Sequence, residues 1–518
     1  MYLRKVIVNG ESLTIEDVVA VARENVKVEI LEKVKNKVIN SRKILEELLN
    51  SGKVIYGVNT GFGALANVKI SEEELEKLQL NLIRSHSAGV GKPLPKDIVR
   101  AAMLLRVNTL AKGYSGVRTE VLEALVEMLN KGVHPVVPEK GSVGASGDLA
   151  PLSHIALVLI GEGKAEYKGE ILSGKGALEK AGIKPLRLRA KEGMALNNGT
   201  QLMTAIAALA VHDAEILIKT AEAATALSLE ALQGIVDAFD EKIHRVRPHN
   251  GQILSARNIR QLIKGSKLVC SGEEAAEKFG YPQDPYTLRC APQVLGAVRD
   301  AIAYARSVVE TEINSVTDNP LVFPEDKTCI SGGNFHGQPI AIAMDLLGVA
   351  VASVGNISER RIARLIDENL SRGLPAFLVP KGTKKGINSG FMLAQYTAAA
   401  LASENKVLAH PASVDSIPTS ANFEDHVSMG PIAARKAMQI IENVQRIVAI
   451  ELLCACQAAD IRGAEKLGKG TKIVHSIIRE KVPTLKEDRM LSEDIEKVFK
   501  VVKNGELVEA LSKHVKLV

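Results

Sequence analysis

The chain has 518 residues, of which 46% are hydrophobic, 24% charged and 3% aromatic, and its formal net charge is +6. This composition is ordinary for a soluble globular protein, and the length allows two or three domains' worth of core. Lysine and arginine are interspersed with aspartate and glutamate, and no basic run stands apart, so we expect neither a nucleic-acid nor a membrane partner.

The N-terminal segment turns polar after a few apolar residues, which argues against a signal or transit peptide. The best candidate for a membrane span, residues 340–355, is interrupted by Asp345. We therefore expect a cytoplasmic protein. The five cysteines are scattered and the histidines show no paired metal-ligand spacing, so we expect free thiols and no metal site.

In chain order, residues 1–50 predict a short strand and turn followed by amphipathic helices that end at Gly52. Tyr56 then opens the loop YGVNTGFG, which is too rich in glycine and other breakers for the centre of a strand and is a candidate lid. Residues 71–134 predict helix, beginning at Ser71 with three glutamates in the first turn.

The glycine-rich segment GSVGASGDLAP, residues 141–151, has a chemical possibility that few sequences share. The unhindered amide nitrogen of Gly147 is able to attack the carbonyl carbon of Ala145 and close a five-membered ring. Loss of water from the ring and from Ser146 then leaves an exocyclic methylene, an electrophile that no ordinary side chain provides. The alternative is a phosphate-binding loop, but the Lys-Ser/Thr of a P-loop is absent and no strand-like run leads into the segment.

A helix is predicted directly after this segment. Asp148 is a good N-cap residue, Pro151 is tolerated in the first turn, and the following residues keep helical spacing. The ring would then lie at a helix N-terminus, where free N–H groups stabilise negative charge. The pKa of a tyrosine is about 10, and we expect this helix N-terminus to lower the pKa of Tyr56.

Long helices dominate the rest of the chain. A strand-rich insert at 164–174 is followed by long helical patterns at 200–234, 292–317, 338–370, 389–408 and 430–462. Helices of this length usually pack in a bundle. We predict a mainly α fold with two domains, a smaller α-rich N-terminal domain at 1–196 that carries both loops and minor β structure, and a long-helix bundle at 197–518.

Two of these motifs resemble one known family. GSVGASGDLAPLSHIA is similar to the signature of the ammonia-lyases that carry a methylidene-imidazolone (MIO) prosthetic group, and YGVNTGFG is similar to their catalytic tyrosine loop. The resemblance implies that Ala145, Ser146 and Gly147 form the MIO group, that no dissociable cofactor is needed, and that Tyr56 removes the β-proton of an amino acid. It also implies a homotetramer with active sites shared among subunits, which suits long, weakly charged helices.

Further segments extend the resemblance to about residue 430. Asn198, in Asn-Gly-Thr, corresponds to the amide that holds the modified ring or the substrate. QDPYTLRC implies roles for Gln283, for Tyr286 as a catalytic residue and for Arg289, whose guanidinium is suited to gripping a carboxylate bidentately. Phe335, in SGGNFHGQP, corresponds to a phenylalanine that neighbours the prosthetic group.

The ring that the enzyme accepts is indicated by a few polar residues. Ser85 and His86 resemble the histidine-specific members, because such side chains hydrogen-bond an imidazole. Glu404 resembles the acid that those members direct at the substrate, and Gln395 lies nine residues earlier on the same helical pattern, so both can face one side. The resemblance therefore implies elimination of ammonia from L-histidine to give trans-urocanate.

Several alternatives stay open at this point. Asn197 and Phe423 depart from the family pattern, where an apolar residue and a glutamine are usual. A phenylalanine or tyrosine ammonia-lyase, or an aminomutase with the same electrophile, is the nearest rival, and a catalytically silent helical scaffold is a rival of another class. A fumarase-like lyase is disfavoured, because no serine-rich signature loop of that kind is present. Capture of the amine and attack on the imidazole ring are both compatible with the motifs.

Overall fold

The structure is a computed structural model that describes residues 5–380 and 386–518. It is mainly helical, which confirms the predicted fold class. The strands are β1 Lys5–Val8, β2 Lys27–Ile30, β3 Val90–Pro93, β4 Val133–Pro135, β5 Pro138–Lys140, β6 Lys164–Tyr167, β7 Glu170–Ser173, β8 Leu321–Phe323 and β9 Thr328–Ile330. The helices of the N-terminal part are α1 Ile15–Arg23, α2 Glu32–Asn50, α3 Leu75–His86, α4 Lys96–Ala111, α5 Thr119–Lys131, α6 Leu149–Leu159, α7 Gly174–Ala181 and α8 Glu192–Asn197. The remaining helices are α9 Gln201–Ala231, α10 Glu241–Arg245, α11 Asn250–Leu262, α12 Gly272–Phe279, α13 Tyr286–Arg289, α14 Ala291–Ile313, α15 Gln338–Ile366, α16 Met392–Leu408, α17 Gly430–Arg462, α18 Lys469–Lys481, α19 Leu491–Lys503 and α20 Glu506–Ser512.

The chain divides into two compact units, and each unit is discontinuous in sequence. The first unit consists of Met1–His212, Arg306–Asp345 and Pro411–Arg435, and the second of Asp213–Ala305, Leu346–His410 and Lys436–Val518. The long helices α9, α14, α15 and α17 contribute residues to both units. The predicted domain boundary between residues 196 and 197 stays a prediction.

Helix α4 forms the centre of the first unit. Its residues from Ile98 to Ala111 are all buried, because the helix is surrounded on every side. Burial includes the guanidinium of Arg100, which donates to the carbonyl oxygens of Val21 and Leu129 at 2.8 and 3.1 Å. Arg100 thereby ties α1 and α5 to the central helix and satisfies its own buried donors.

The strands of the first unit form small sheets. β1 and β2 pair in parallel, β4, β6 and β7 form an antiparallel sheet, and β8 and β9 form a hairpin. The β6–β7 hairpin confirms the predicted strand-rich insert. The prediction of helix throughout 71–134 is wrong in three places: β3, which pairs with β5, separates α3 from α4, residues 112–118 separate α4 from α5, and β4 begins at Val133. At β3, Gly89, Gly91 and Pro93 favour extended or turning backbone over helix.

The second unit is built from helices. The predicted long helices are confirmed, and each observed end lies within about four residues of the predicted one. Cys454 and Cys456 are fully buried in α17, and the five cysteines are free thiols, as predicted. Two helices, α9 and α15, are long and apolar enough to cross a membrane by length and composition alone. Since 83% and 61% of their most apolar windows are buried inside the protein, they resemble core helices of a soluble protein.

His134 on β4 is expected to make the fold sensitive to acid. Burial and the positive charge of Arg100 lower the pKa of its imidazole to about 4. Because the unfolded chain takes up this proton near pH 6.5, stability falls as the pH drops from about 6.5 to about 4. We expect His134→Gln to flatten this part of a plot of melting temperature against pH, while His514→Gln, at an exposed position, leaves the plot as in the unmodified chain. Equal slopes for His134→Gln and the unmodified chain would contradict the assignment.

Candidate active site

The loop that contains Ala145, Ser146 and Gly147 runs from the end of β5 to the start of α6. Gly147 has a φ of +71°, and a Cβ atom built on it would overlap the backbone of Gly199. The two glycines form a parallel bridge, and the amide of Asp148 donates to the Gly199 carbonyl at 2.7 Å. Only glycine meets both the left-handed backbone and the close approach at this position.

Asp148 occupies the N-cap position of α6, as predicted, but its side chain does not cap the helix. The expected cap is therefore wrong: the carboxylate accepts from the Met203 amide at 2.8 Å and from the Ser142 hydroxyl at 3.1 Å. Complete burial raises the pKa of Asp148 to about 7, against the opposing effect of these hydrogen bonds. Asp148 thus joins the loop to the beginning of α9 instead of closing its own helix.

The carbonyl oxygen of Ser146 faces two N–H donors. The side-chain amide of Asn198 lies 3.5 Å from it and the backbone nitrogen of Gly199 3.4 Å from it. Asn198 is buried, its backbone carbonyl accepts from Arg106 at 2.9 Å, and its Oδ1 has no hydrogen-bond partner among the described residues. The departure at Asn197 also has an explanation, since its amide donates to the hydroxyl of Ser153 on α6 at 3.1 Å.

The hydroxyl of Ser146 contacts a carboxylate that lies far away in sequence. Ser146 Oγ and Glu424 Oε1 are 2.5 Å apart. The segment that follows Glu424 is also fixed to the loop through the backbone, because the Met429 amide donates to the carbonyl of Val143 at 2.8 Å. The methyl group of Ala145 packs against Val427 and Met429. The loop is therefore held from one side by the start of α9 and from another by residues 419–429.

Tyr56 lies half-buried in its loop, and its phenol oxygen accepts from the Gly63 amide at 3.0 Å. Burial raises the pKa of Tyr56 above its usual range; the Gly63 N–H opposes this, and the negative charge of Glu424 adds to it. The expected lowering of this pKa is therefore wrong within the described chain. Desolvation and a nearby carboxylate both disfavour the phenolate.

His86 is the last residue of α3, and its Nδ1 lies 3.0 Å from the hydroxyl of Ser85. Burial lowers the pKa of His86, and the charge of Glu424 acts in the opposite direction. The electrostatic influence of Glu424 thus reaches Tyr56 and His86 as well as Ser146.

Phe335 is half-buried in a turn before α15. Two residues later, a Cβ atom on Gly337 would overlap Met203 at the start of α9, so this turn packs closely against α9.

The residues of QDPYTLRC lie in the second unit. Gln283 and Tyr286 are exposed, and the guanidinium of Arg289 stacks 4.7 Å from the centre of the Tyr286 ring. Arg289 Nε donates to the carbonyl oxygen of Asp284 at 2.7 Å. One edge of the guanidinium is therefore fixed by the backbone and one face by the ring, which orients the remaining N–H groups.

Gln395 and Glu404 lie on α16, also in the second unit. The amide of Gln395 donates to Glu359 on α15 at 2.8 Å, and Glu404 accepts from Asn443 on α17 at 2.9 Å. Glu404 is exposed and Gln395 half-buried. Each side chain is thus positioned by a polar partner on a neighbouring long helix.

The structure brings part of the predicted set together and adds one residue to it. Tyr56, His86, Ser146 and Asn198 belong to the first unit, where Glu424 acts on three of them. Gln283, Tyr286, Arg289, Gln395 and Glu404 belong to the second unit. Sequence reasoning missed Glu424, although it noted the departure at the adjacent Phe423; the acidic residue next to Phe423 was the available signal. No cluster of three or more potential metal ligands occurs in the described part of the chain.

Comparison with known proteins agrees with this geometry. The family model for aromatic amino acid lyases matches residues 13–480, and the chain belongs to this family. Its similarity to individual members is high: "Histidine ammonia-lyase 2" of Fusobacterium nucleatum is 58% identical over 514 residues, 99% of both chains, and the histidine ammonia-lyase of Alkaliphilus oremlandii is 56% identical over 99% of this chain and 100% of its own length.

Solved structures of the family superpose closely on the chain. The histidine ammonia-lyase of Trypanosoma cruzi aligns with a TM-score of 0.91 at 44% identity, covering 99% of this chain and 96% of the other. The tyrosine aminomutase of Streptomyces globisporus aligns with a TM-score of 0.95 at 42% identity, covering 99% and 100%. The family and these structures identify the chain as a carbon–nitrogen lyase. Its sequence identity to the two bacterial histidine ammonia-lyases, 58% and 56%, is higher than its 42% identity to the tyrosine aminomutase.

Proposed function

We propose that the chain eliminates ammonia from L-histidine to give trans-urocanate, the entry step of histidine degradation in the cytoplasm. The observation that carries the proposal is the Ala145–Ser146–Gly147 loop, whose central carbonyl faces two N–H donors and whose hydroxyl faces a carboxylate. Full-length identity above 50% to several histidine ammonia-lyases supports histidine as the substrate.

The residues present fit an MIO group built from Ala145, Ser146 and Gly147. The glycine has the backbone freedom that ring closure needs, the Ser146 hydroxyl donates to the Glu424 carboxylate, and the buried Asn198 presents its amide to the loop. When formed, the group supplies an electrophilic carbon that turns the substrate's amine into a better leaving group or activates its ring. The N–H groups of Asn198 and Gly199 are placed to stabilise negative charge on the Ser146 oxygen.

The remaining roles follow from charge and shape. Arg289, already fixed on one edge and one face, binds the substrate carboxylate, and Glu404 binds the imidazolium. Tyr56 takes the β-proton at its phenol oxygen, and the positive charge of the bound substrate's ammonium group favours the phenolate, which burial and Glu424 disfavour. The other proposed residues contact substrate or orient it, namely His86, Asn198, Gln283, Tyr286, Phe335 and Gln395.

We further propose a homotetramer in which subunits share active sites. Helix α15 leaves a stripe of large apolar side chains exposed at Ile342, Leu346 and Val349, which are 48%, 41% and 46% exposed. Their spacing of four and three residues places them on one face of the helix. Tyr396 on α16 is 61% exposed. Exposed apolar stripes of this kind mark protein interfaces, and a second copy of the chain is the simplest partner.

Tyr56→Phe is expected to lower kcat by about 10²–10⁴-fold with a smaller change in KM, because it removes a general base and leaves the ring packing in place. Formation of urocanate, followed by its ultraviolet absorbance, measures the effect. Tyr167→Phe on β6 is the matched control and is expected to retain activity. A Tyr56→Phe enzyme with unchanged kcat would remove the proposed base.

The substrate assignment is tested with purified protein and L-histidine, L-tyrosine and L-phenylalanine. We expect turnover of histidine alone. The TM-score of 0.95 to a tyrosine aminomutase makes an aminomutase the second candidate, and it predicts a β-amino acid product from tyrosine. Turnover of tyrosine without histidine would overturn the proposed substrate, and the product would distinguish lyase from mutase.

A further inference from the structure

Glu424 touches the one oxygen atom that has to leave Ser146 for the proposed prosthetic group to form. Its Oε1 lies 2.5 Å from Ser146 Oγ, and both side chains are half-buried. A distance this short is typical of an O–H···O⁻ hydrogen bond, in which the proton is shared between a hydroxyl and a carboxylate.

The second carboxylate oxygen of Glu424 is fixed separately. Thr419 Oγ1 donates to Glu424 Oε2 at 2.9 Å, and the backbones of the two residues exchange hydrogen bonds at 2.9 and 3.2 Å. Between them, Ser420, Ala421 and Asn422 have φ values of +52°, +52° and +64°. Left-handed backbone is unfavourable for residues other than glycine. The turn thus keeps an unfavourable backbone, and it aims Glu424 at Ser146.

Formation of the electrophile requires loss of two water molecules from the chain. In the first step, Gly147 N bonds to the carbonyl carbon of Ala145. The Ala145 oxygen leaves as water with the amide hydrogens of Gly147 and Ser146, and a C=N double bond forms between the Ala145 carbon and Ser146 N. In the second step, Ser146 loses its Cα proton, a Cα=Cβ double bond forms, and the Cβ–Oγ bond breaks. Hydroxide is a poor leaving group, so Oγ needs a proton as it departs.

We propose that Glu424 is the general acid of this second step, an assignment that rests on the proposed function. The Glu424 carboxylate first takes up a proton from solvent, and the resulting carboxyl group gives it from Oε1 to Ser146 Oγ, which leaves as water with the electron pair of the Cβ–Oγ bond. The electron pair of the Cα–H bond becomes the new double bond. The Cα proton passes to solvent and replaces the proton that Glu424 took up, so the net loss is one water and no oxidant or co-reactant is consumed.

The intact mass of the chain is the direct readout, and it does not depend on enzyme activity. Newly translated protein is sampled over time and weighed. The mass of the chain without substitutions is expected to fall by about 36 Da, the mass of two waters. We expect Glu424→Gln to lose the second water about 10²–10⁴-fold more slowly, because its side chain keeps a hydrogen bond but has no acidic proton to transfer. Glu424→Asp is expected to recover part of the rate.

Asp425→Asn is the matched control, because Asp425 is the adjacent acid in the same segment and is exposed. It is expected to lose both waters at the rate of the unmodified chain. Circular dichroism establishes that each variant has folded. If Glu424→Gln does not fold, Thr419→Val provides the second test, since it keeps the acid and removes the donor to Oε2, and a slower loss of the second water is expected.

Complete loss of about 36 Da by folded Glu424→Gln at the normal rate would overturn the assignment of Glu424 and leave the proposed function intact. In the Thr419→Val test, an unchanged rate of the second loss would likewise overturn it. If the chain without substitutions loses no water at all, the proposed prosthetic group itself is overturned. The two failures are therefore distinguishable in one experiment.

Discussion

Ser146→Ala is expected to lower kcat for histidine by at least about 10³-fold, because the electrophile supplies much of an acceleration that in enzymes usually exceeds 10⁶-fold. Alanine has no hydroxyl group to lose, so no methylene is able to form. Its side chain fits the space, since it removes only the Oγ atom that contacts Glu424. The fold is therefore expected to persist, and the loss is one of chemistry. Steady-state kinetics and intact mass measure the two effects.

Ser142→Ala is the control for this experiment. The Ser142 hydroxyl donates to the carbonyl of Gly147 at 3.2 Å, so it belongs to the same loop but contributes no atom to the ring. The Ser142→Ala chain is expected to lose about 36 Da, the mass of two waters, as the chain without substitutions does. A Ser146→Ala enzyme that turns over histidine at the normal rate would show that the electrophile is not needed.

Arg361→Met is expected to give the largest loss of stability, about 3–5 kcal/mol. Arg361 on α15 makes a bidentate pair with Glu451 on α17 at 2.6 and 2.9 Å, and neither side chain is exposed. Glu451 also accepts from the hydroxyls of Ser228 and Ser358 at 2.7 and 2.5 Å. Removing the guanidinium leaves a buried carboxylate with hydroxyl donors but no opposite charge.

The neighbouring residue provides a control of the same chemistry. The side chain of Arg360 is 59% exposed, and its partner Glu359, which is 7% exposed, keeps the amide of Gln395 as a donor, so Arg360→Met is expected to cost less, about 1–2 kcal/mol. Thermal and denaturant unfolding are compared at equal protein concentration, because the proposed assembly links stability to concentration. An Arg361→Met protein that is as stable as Arg360→Met would show that the buried pair does not stabilise the fold.

Local sequence patterns predicted the parts of the molecule that local forces determine. The long helices follow from apolar periodicity without proline, and the loop around Gly147 follows from its glycines and from the helix signals after it. The break at β3 was also readable, since Gly89, Gly91 and Pro93 disfavour helix. The propensity of the surrounding residues was given too much weight there.

Contacts between distant segments account for what the sequence did not predict. Asp148 has the right residue type for a helix cap, but the amide of Met203 competes for its carboxylate. The pKa of Tyr56 depends on burial and on Glu424, neither of which its own loop reveals. Glu424 itself lies 278 residues from Ser146, a separation at which no spacing rule applies.

Because of this separation, the ribosome adds Glu424 well after Ser146. At 5–20 residues per second, translation reaches Glu424 roughly 14–56 s after Ser146. On the proposed mechanism the tripeptide stays ordinary polypeptide until then, although Gly199, whose backbone lies against Gly147, has already been synthesised. A nascent chain carrying a premature electrophile would be open to any cellular thiol or amine. If the last dehydration waits for Glu424 as proposed, the chain becomes reactive only when most of the protein that shelters the electrophile exists.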